Sequence, residues 1–200
     1  MTVRRFFVLV FTATLLAGAC GGDPPPPPPP PPAGPDMDSL RRYQDSVAAA
    51  EAERRRQQEE AARRAAEEAA RQRAIEAARA TLTERVFFDY DVSEIREDAA
   101  NSLRAKVAIL RASPQVQLRI EGHADERGTT EYNIALGNRR AESIRQFLTG
   151  FGLQANRFEI VSFGEGRPMQ QGSNEAAWSR NRRGEFVITA GGNAINPPSN

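Results

Sequence analysis

Residues 121–140, which read EGHADERGTTEYNIALGNRR, contain the charged side chains whose spacing best suits the binding of a ligand. An alternating apolar and polar run at 116–120 predicts a strand before them, and a helix is predicted to start near Thr130. Thr129 or Thr130 can cap that helix, and Glu131 suits the positive end of its dipole. The strand end, the loop and the helix start should therefore form a pocket edge with exposed backbone N–H groups.

Within this stretch, Asp125 in the loop and Arg140, about two and a half turns along the helix, are the candidate binding groups. A ligand that carries an ammonium and a carboxylate requires an anion and a bidentate cation at a fixed separation. Asn133, Leu136 and Arg140 share one helical stripe, which the periodicity places at the rim of the core-facing side. The predicted core-facing stripe is Ile134, Gly137, Ala141, Ile144 and Leu148. The alternative is that Asp125 caps the loop and Arg140 makes a surface ion pair.

The stretch GHADERGTTEYNIALGNRRAESI resembles the signature of OmpA-like peptidoglycan-binding domains, and in that family it is similar to the lipoproteins of the Tol–Pal system. Three further motifs extend the resemblance over residues 85–189, in the expected order: VFFDYDVSEIR at 86–96, IVSFGEGRP at 160–168 and NEAAWSRNRR at 174–183. Four ordered motifs are a more specific signal than any one short pattern. Thr130 stands where these proteins usually carry Pro, which weakens preorganisation slightly but removes no contact group.

The resemblance implies a site and a function. Asp125 and Arg140 match the positions that grip the diaminopimelate of the peptidoglycan stem peptide, and Phe88 and Asp89 match positions that line the groove. The predicted binding residues are Phe88, Asp89, Asp125, Thr129, Asn133, Leu136 and Arg140. The alternative for Phe88 is a place in the core. One arginine of Asn181-Arg182-Arg183 is predicted to brace the loop and is not assigned to the ligand. The implied protein is a non-enzymatic tether between outer membrane and peptidoglycan, with TolB and other Tol proteins as candidate partners.

The N-terminal residues predict a lipid anchor. Residues 1–19 carry Arg4 and Arg5 before a short apolar run, as in a signal peptide, and small residues lead to Cys20, the only cysteine. This pattern resembles a bacterial lipobox and predicts that Cys20 is lipidated at the periplasmic face of the outer membrane; the alternative is an ordinary secretory signal with an incidental cysteine. Residues 20–37 form a proline-rich linker, in which the run at 24–32 predicts a stiff polyproline II spacer.

Residues 38–83 predict a long helical stalk. Alanine, glutamate, arginine and glutamine dominate, and no Gly or Pro interrupts. Glu59 and Arg63, like Glu67 and Arg71, are spaced i, i+4 in the favourable order. Large apolar residues are sparse, so a solvated single helix is predicted first and a weak alanine-faced coiled coil second. At 1.5 Å per residue such a helix could reach ~65 Å.

Residues 85–190 predict one globular domain of the α/β class. The element order βαβαβ(α)β indicates a two-layer sandwich, with a mixed four-stranded sheet and helices packed on one face. The tail, residues 191–200, contains Pro197 and Pro198 and is predicted to be disordered.

Composition excludes several function classes. The formal net charge of +1 provides no basic field for nucleic acid, and no cofactor is expected. His123 is the only histidine, whereas zinc sites usually use several His or Cys ligands, so no metal is expected and His123 is predicted to be structural. A cell-wall enzyme, a generic OmpA-like anchor outside the Tol–Pal system, and an inner-membrane anchor remain as alternatives. The short apolar segment ending at Cys20 argues against the last of these.

Overall fold

The computed structural model describes Gly34 and residues 36–198. The predicted signal peptide, Cys20 and the proline run lie outside these described residues. The elements are helix α1 Met37–Thr83, strand β1 Val86–Phe87, helix α2 Glu97–Ala112, strand β2 Gln117–His123, helix α3 Thr130–Gly150, a short 3-10 helix Ala155–Arg157, strand β3 Phe158–Gly164, helix α4 Glu175–Asn181 and strand β4 Arg183–Ala190.

The four strands form one mixed sheet in the order β1-β4-β2-β3. Strand β4 is antiparallel to both β1 and β2, whereas β2 and β3 are parallel and are joined through α3. The predicted α/β fold with a mixed four-stranded sheet is therefore confirmed. Strand β2 ends at His123 and α3 begins at Thr130. The loop between them therefore carries Asp125 close to the start of the helix that carries Arg140.

Helix α3 packs directly on strand β2. A Cβ added to Gly122 would lie 1.8 Å from the carbonyl oxygen of Gly137, so only glycine permits this backbone approach. Ala141, Ile144 and Leu148 are fully buried on the same helix, as the periodicity predicted. Ile134 is the exception: it was predicted to face the core, but it is 42% exposed.

The boundaries of the domain differ from the sequence prediction at both ends. Ala78 and Leu82, at the end of α1, are buried in the hydrophobic core, so the last turns of this helix belong to the domain. Ile195 is buried in the same core, and Asn196 exchanges hydrogen bonds with the Ser113 hydroxyl. The prediction of a disordered tail was therefore wrong for residues 191–196, because one isoleucine anchors them.

Helix α1 is exposed along its whole course up to residue 74. Among the described residues, no helix combines the length and the apolar character that crossing a bilayer requires.

Candidate functional site

A small cavity of about 80 Å³ opens beside the loop that joins β2 to α3. Its walls also include α3 and the segment that follows β1. The lining residues are Tyr90, Asp91, Asp125, Arg127, Gly128, Tyr132, Asn133, Leu136 and Arg140. Asp125, Asn133, Leu136 and Arg140, which the sequence predicted from one loop and one helical stripe, are thus brought together around one space.

Asp125 is buried and carries several hydrogen bonds. Its Oδ1 accepts from the Arg127 backbone N–H at 3.1 Å and from Arg127 Nε at 3.0 Å. Its Oδ2 accepts from Arg127 Nη2 at 2.7 Å and from Arg182 Nη1 at 3.3 Å. Burial alone would raise the pKa of Asp125, but the hydrogen bonds from Arg127 and Arg182 outweigh it and lower the pKa below its ordinary value. The carboxylate is therefore ionised at neutral pH.

Arg140 lies deeper than its helical position predicted. Its side chain is 0% exposed, and its guanidinium donates to three backbone carbonyls, those of Asp89, Val92 and His123, at 2.9, 2.9 and 2.7 Å. The prediction that Arg140 sits at the rim of the core-facing side was wrong, because these carbonyls draw the guanidinium inward. Burial lowers the pKa of Arg140 to about 10, so it remains protonated at neutral pH. Arg140 both ties three segments together and presents charge to the cavity wall.

Asn133 faces the cavity with an unused donor. Its side chain is buried, and its Nδ2 has no hydrogen-bond partner among the described residues. Burying an amide without a partner is costly, so such a group is a ready donor for a ligand oxygen. Leu136, also buried, supplies the apolar floor on the same stripe.

Arg127 lines the cavity and lies against two aromatic rings. Its guanidinium carbon lies over the ring of Tyr90 at 3.9 Å and over the ring of Trp178 at 4.1 Å from the ring centroids. Trp178 is positioned in turn by its indole N–H, which donates to Glu126. Tyr132 donates its hydroxyl proton to Asp91, which links α3 to the segment after β1. Aromatic rings and charges from distant parts of the chain therefore meet around Arg127.

Comparisons with known proteins identify the family. The sequence profile of the OmpA family matches residues 87–182, a range that contains every residue lining the cavity. A crystal structure of the peptidoglycan-associated lipoprotein from Burkholderia pseudomallei has 38% sequence identity, and the match covers 52% of this chain and 89% of that one with a TM-score of 0.51. The chain belongs to the OmpA family.

Curated relatives of this OmpA-family chain share its sequence over a limited range. The peptidoglycan-associated lipoprotein of Brucella melitensis is 46% identical over 109 residues, and that of Agrobacterium fabrum is 42% identical over 109 residues. Each match covers 54% of this chain, with 65% of the Brucella protein and 62% of the Agrobacterium protein. The chain thus spans less than two thirds of the length of these relatives.

The other predicted site residues lie beside the OmpA-family cavity without lining it. Phe88 is buried in the core and packs under Arg140, whose guanidinium carbon is 5.2 Å from its ring centroid. Asp89 points its side chain outward to Arg96, at 3.0 Å, and contributes only its carbonyl to Arg140. Thr129 is the N-cap of α3, where its hydroxyl accepts from the Tyr132 backbone N–H.

Sequence reasoning missed part of the site. Tyr90 and Asp91 belong to the motif VFFDYDVSEIR, and Arg127 belongs to ADERG, but their types gave no indication of a shared cavity. One arginine of Asn181-Arg182-Arg183 was predicted to brace the loop, and Arg182 takes that position: it pairs with Asp125 and donates to Glu175 at 2.5 Å. The only indication in the sequence was that these residues, most of them charged, lie within the motifs that carry the family resemblance.

A second cluster lies on the opposite face of the sheet, where Glu121, His123 and Glu185 place ligand atoms within 4.8 Å of one another. Both ring nitrogens of His123 are buried and lack partners among the described residues. Burial, and then the charge of Arg183, lower the pKa of His123 to about 4, so the ring is neutral. Arg119 already pairs with Glu121 at 2.8 Å and Arg183 with Glu185 at 2.6 Å. Arg85 also pairs with Glu185, at 2.9 Å, so three guanidinium groups surround the two carboxylates. This positive charge disfavours another cation, and we interpret the cluster as an ion-pair network.

Proposed function

We propose that this OmpA-family chain binds peptidoglycan non-covalently and tethers the outer membrane to the cell wall. The observation that carries the proposal is the buried Asn133 amide without a partner, which faces a cavity shared with an ionised carboxylate and a buried guanidinium. Relatives named peptidoglycan-associated lipoprotein, at 42–46% identity, support the same reading. No catalytic role is proposed for these residues.

The ligand group proposed for the cavity is the diaminopimelate of the stem peptide. Its free end carries an ammonium and a carboxylate on one carbon, so it needs an anionic and a cationic partner close together. Asp125 receives the ammonium, and Arg140 offers its unused guanidinium N–H groups to the carboxylate. The Asn133 amide then supplies a further hydrogen bond to the ligand. The cavity is small, about 80 Å³, and its size suits the end of a side chain, so the proposal centres recognition on the peptide.

The proposed anchor is an acylated Cys20 at the periplasmic face of the outer membrane. Cys20 follows an apolar run and small residues, and acyl chains hold a protein at a membrane without spanning it. The proline-rich segment and the charged helix after it would act as a spacer between lipid and domain. Mass spectrometry of the membrane-extracted protein tests this: an intact Met1 or an unmodified thiol at Cys20 would contradict it.

Membership of a Tol–Pal system, with TolB as a partner, is the finer form of the proposal. The alternative of a wall anchor outside that system involves the same cavity and the same ligand. The two differ in whether Tol proteins co-purify with the chain after cross-linking in cells. Peptidoglycan binding itself does not depend on that outcome.

The experiment that tests the proposed function is a sedimentation assay on purified peptidoglycan. The soluble chain without its signal peptide and carrying Cys20→Ser should sediment with diaminopimelate-type peptidoglycan, and free diaminopimelate should compete. Peptidoglycan with lysine at the same position of the stem peptide is the matched control, because it keeps the ammonium and lacks the carboxylate. Equal binding to both wall types, or no competition, would refute the assignment of the ligand group.

A further inference from the structure

The carboxylate of Asp125 is already fully occupied. The Arg127 backbone N–H, Arg127 Nε, Arg127 Nη2 and Arg182 Nη1 all donate to it, at 3.1, 3.0, 2.7 and 3.3 Å. An ionised carboxyl offers about four lone-pair positions, so a ligand ammonium cannot simply be added to this set. One of the present donors has to leave when a cationic group arrives.

The Arg127 side chain is the donor that can leave. Arg182 is only 7% exposed, and it is also held by the Phe88 carbonyl and by Glu175. Arg127 is 28% exposed, and among residues 36–198 every hydrogen bond from its side chain goes to Asp125. Its backbone N–H stays with the loop whichever way the side chain turns. Releasing Arg127 therefore breaks one ion pair and leaves the rest of the loop intact.

A second position for the guanidinium is already built. Glu175 Oε2 lies 3.9 Å from Arg127 Nη2, and the Glu175 side chain is 64% exposed and able to approach. The rings of Tyr90 and Trp178 lie against the guanidinium and can hold it during such a shift, because cations are attracted to aromatic faces. Arg127 can thus exchange one carboxylate for another while it stays near both rings, although its position over each ring changes.

We propose that Arg127 is an internal competitor that occupies Asp125 until a ligand ammonium displaces it towards Glu175, and that this competition sets ligand specificity. The inference rests on the proposed function. A ligand with an ammonium alone replaces one cation by another and gains little. A ligand that adds a carboxylate for Arg140 gains a second ion pair, so the exchange favours a zwitterionic end group over a simple amine.

The test uses two soluble probes, a muramyl tripeptide ending in meso-diaminopimelate and its lysine counterpart. Isothermal titration calorimetry measures their affinities for the wild type, Arg127→Ala, Glu175→Gln and the matched control Arg104→Ala, which removes an exposed arginine on α2. We expect Arg127→Ala to bind the diaminopimelate peptide about fivefold more tightly, since a partly exposed ion pair no longer has to break. Arg127→Ala should also discriminate less between the two peptides, because its affinity for the lysine peptide should rise relative to its affinity for the diaminopimelate peptide. Glu175→Gln should weaken binding, and Arg104→Ala should leave it unchanged.

Fluorescence gives an independent readout, because Trp178 is the only tryptophan and contacts Arg127. The diaminopimelate peptide should change Trp178 emission in the wild type and not in Arg127→Ala, although calorimetry still detects binding there. Weaker binding by Arg127→Ala would mean that Arg127 holds the ligand, and would overturn the inference alone. Unaltered affinity with an unaltered fluorescence response would overturn it as well. Absence of binding by the wild type would overturn the proposed function and the inference with it.

Discussion

Arg140→Ala is expected to destabilise the fold as well as the site. The wild-type guanidinium donates to the carbonyls of Asp89, Val92 and His123, which belong to the segment after β1 and to the end of β2. Replacement by alanine removes all three hydrogen bonds and leaves these oxygens without that donor. The segment after β1 would then lose its main link to α3.

The magnitude follows from two opposing contributions. A hydrogen bond from a charged donor contributes ~1.5–3 kcal/mol, so three together contribute ~5–9 kcal/mol. Burial works against them: it lowers the pKa of Arg140 from 12.5 to about 10, which corresponds to a cost of ~3 kcal/mol that alanine no longer bears. The expected net loss in the free energy of unfolding is therefore ~2–6 kcal/mol. Arg140→Lys should lose about half of this, because an ammonium lacks the planar fork that reaches several carbonyls.

Urea denaturation followed by circular dichroism measures the loss, with Arg139→Ala as the control. Arg139 is the neighbouring exposed arginine on α3, and its removal should change stability by less than ~0.5 kcal/mol. The reasoning would be refuted if Arg140→Ala and Arg139→Ala unfolded at the same urea concentration. Any loss of peptidoglycan binding by Arg140→Ala must be read at a temperature where that variant is still folded.

Three further predictions concern other parts of the molecule. Burial lowers the pKa of Lys106 from 10.5 to about 8. Between these pH values the unfolded chain binds more protons than the folded chain, so the free energy of unfolding should rise with pH by up to ~3 kcal/mol. Urea titrations across this window should show no such rise for Lys106→Met. Gly122→Ala should destabilise the domain by ~3 kcal/mol or more in thermal melts, because the new Cβ would meet the carbonyl of Gly137, while alanine at exposed Gly150 should be tolerated. Cys20→Ser should move the protein from the membrane fraction to the soluble fraction of fractionated cells, and unchanged membrane association would refute a lipid anchor.

The sequence predicted the fold well because its periodicities are local. Alternation around 116–120 and the apolar stripe of α3 indicated a strand and a helix, and the family motifs indicated their order. The deep burial of Arg140 was not predictable in this way. A helical stripe predicts the direction in which a side chain points, whereas the carbonyls of Asp89 and Val92 that bind the guanidinium come from a distant segment. Ile195 was missed for a related reason: the Gly and Pro around it indicate disorder, and only the folded core provides a place for it.

The candidate site was predicted only in part, because spacing along the sequence groups only residues that are close together in the chain. Asp125, Asn133, Leu136 and Arg140 come from one continuous stretch, so spacing sufficed to group them. Tyr90 and Trp178 reach Arg127 from segments far away along the chain, and their meeting depends on the whole sheet. The sequence left open whether Asp125 caps the loop. In the structure it accepts from the Arg127 backbone N–H and also bridges the Arg127 side chain and the buried Arg182.

The most direct test of the proposed peptidoglycan site is the affinity of Asp125→Asn for the muramyl tripeptide that ends in meso-diaminopimelate. Asparagine has the shape of aspartate but carries no charge for the ligand ammonium. Its single amide oxygen can replace only one of the two carboxylate oxygens that accept from Arg127 and Arg182. Leaving that ammonium unpaired costs ~2–5 kcal/mol, so the dissociation constant should rise more than tenfold in a calorimetric titration, with a thermal melt to verify that the variant is folded. A folded Asp125→Asn that binds the peptide as tightly as the wild type would contradict the assignment of this cavity as the binding site.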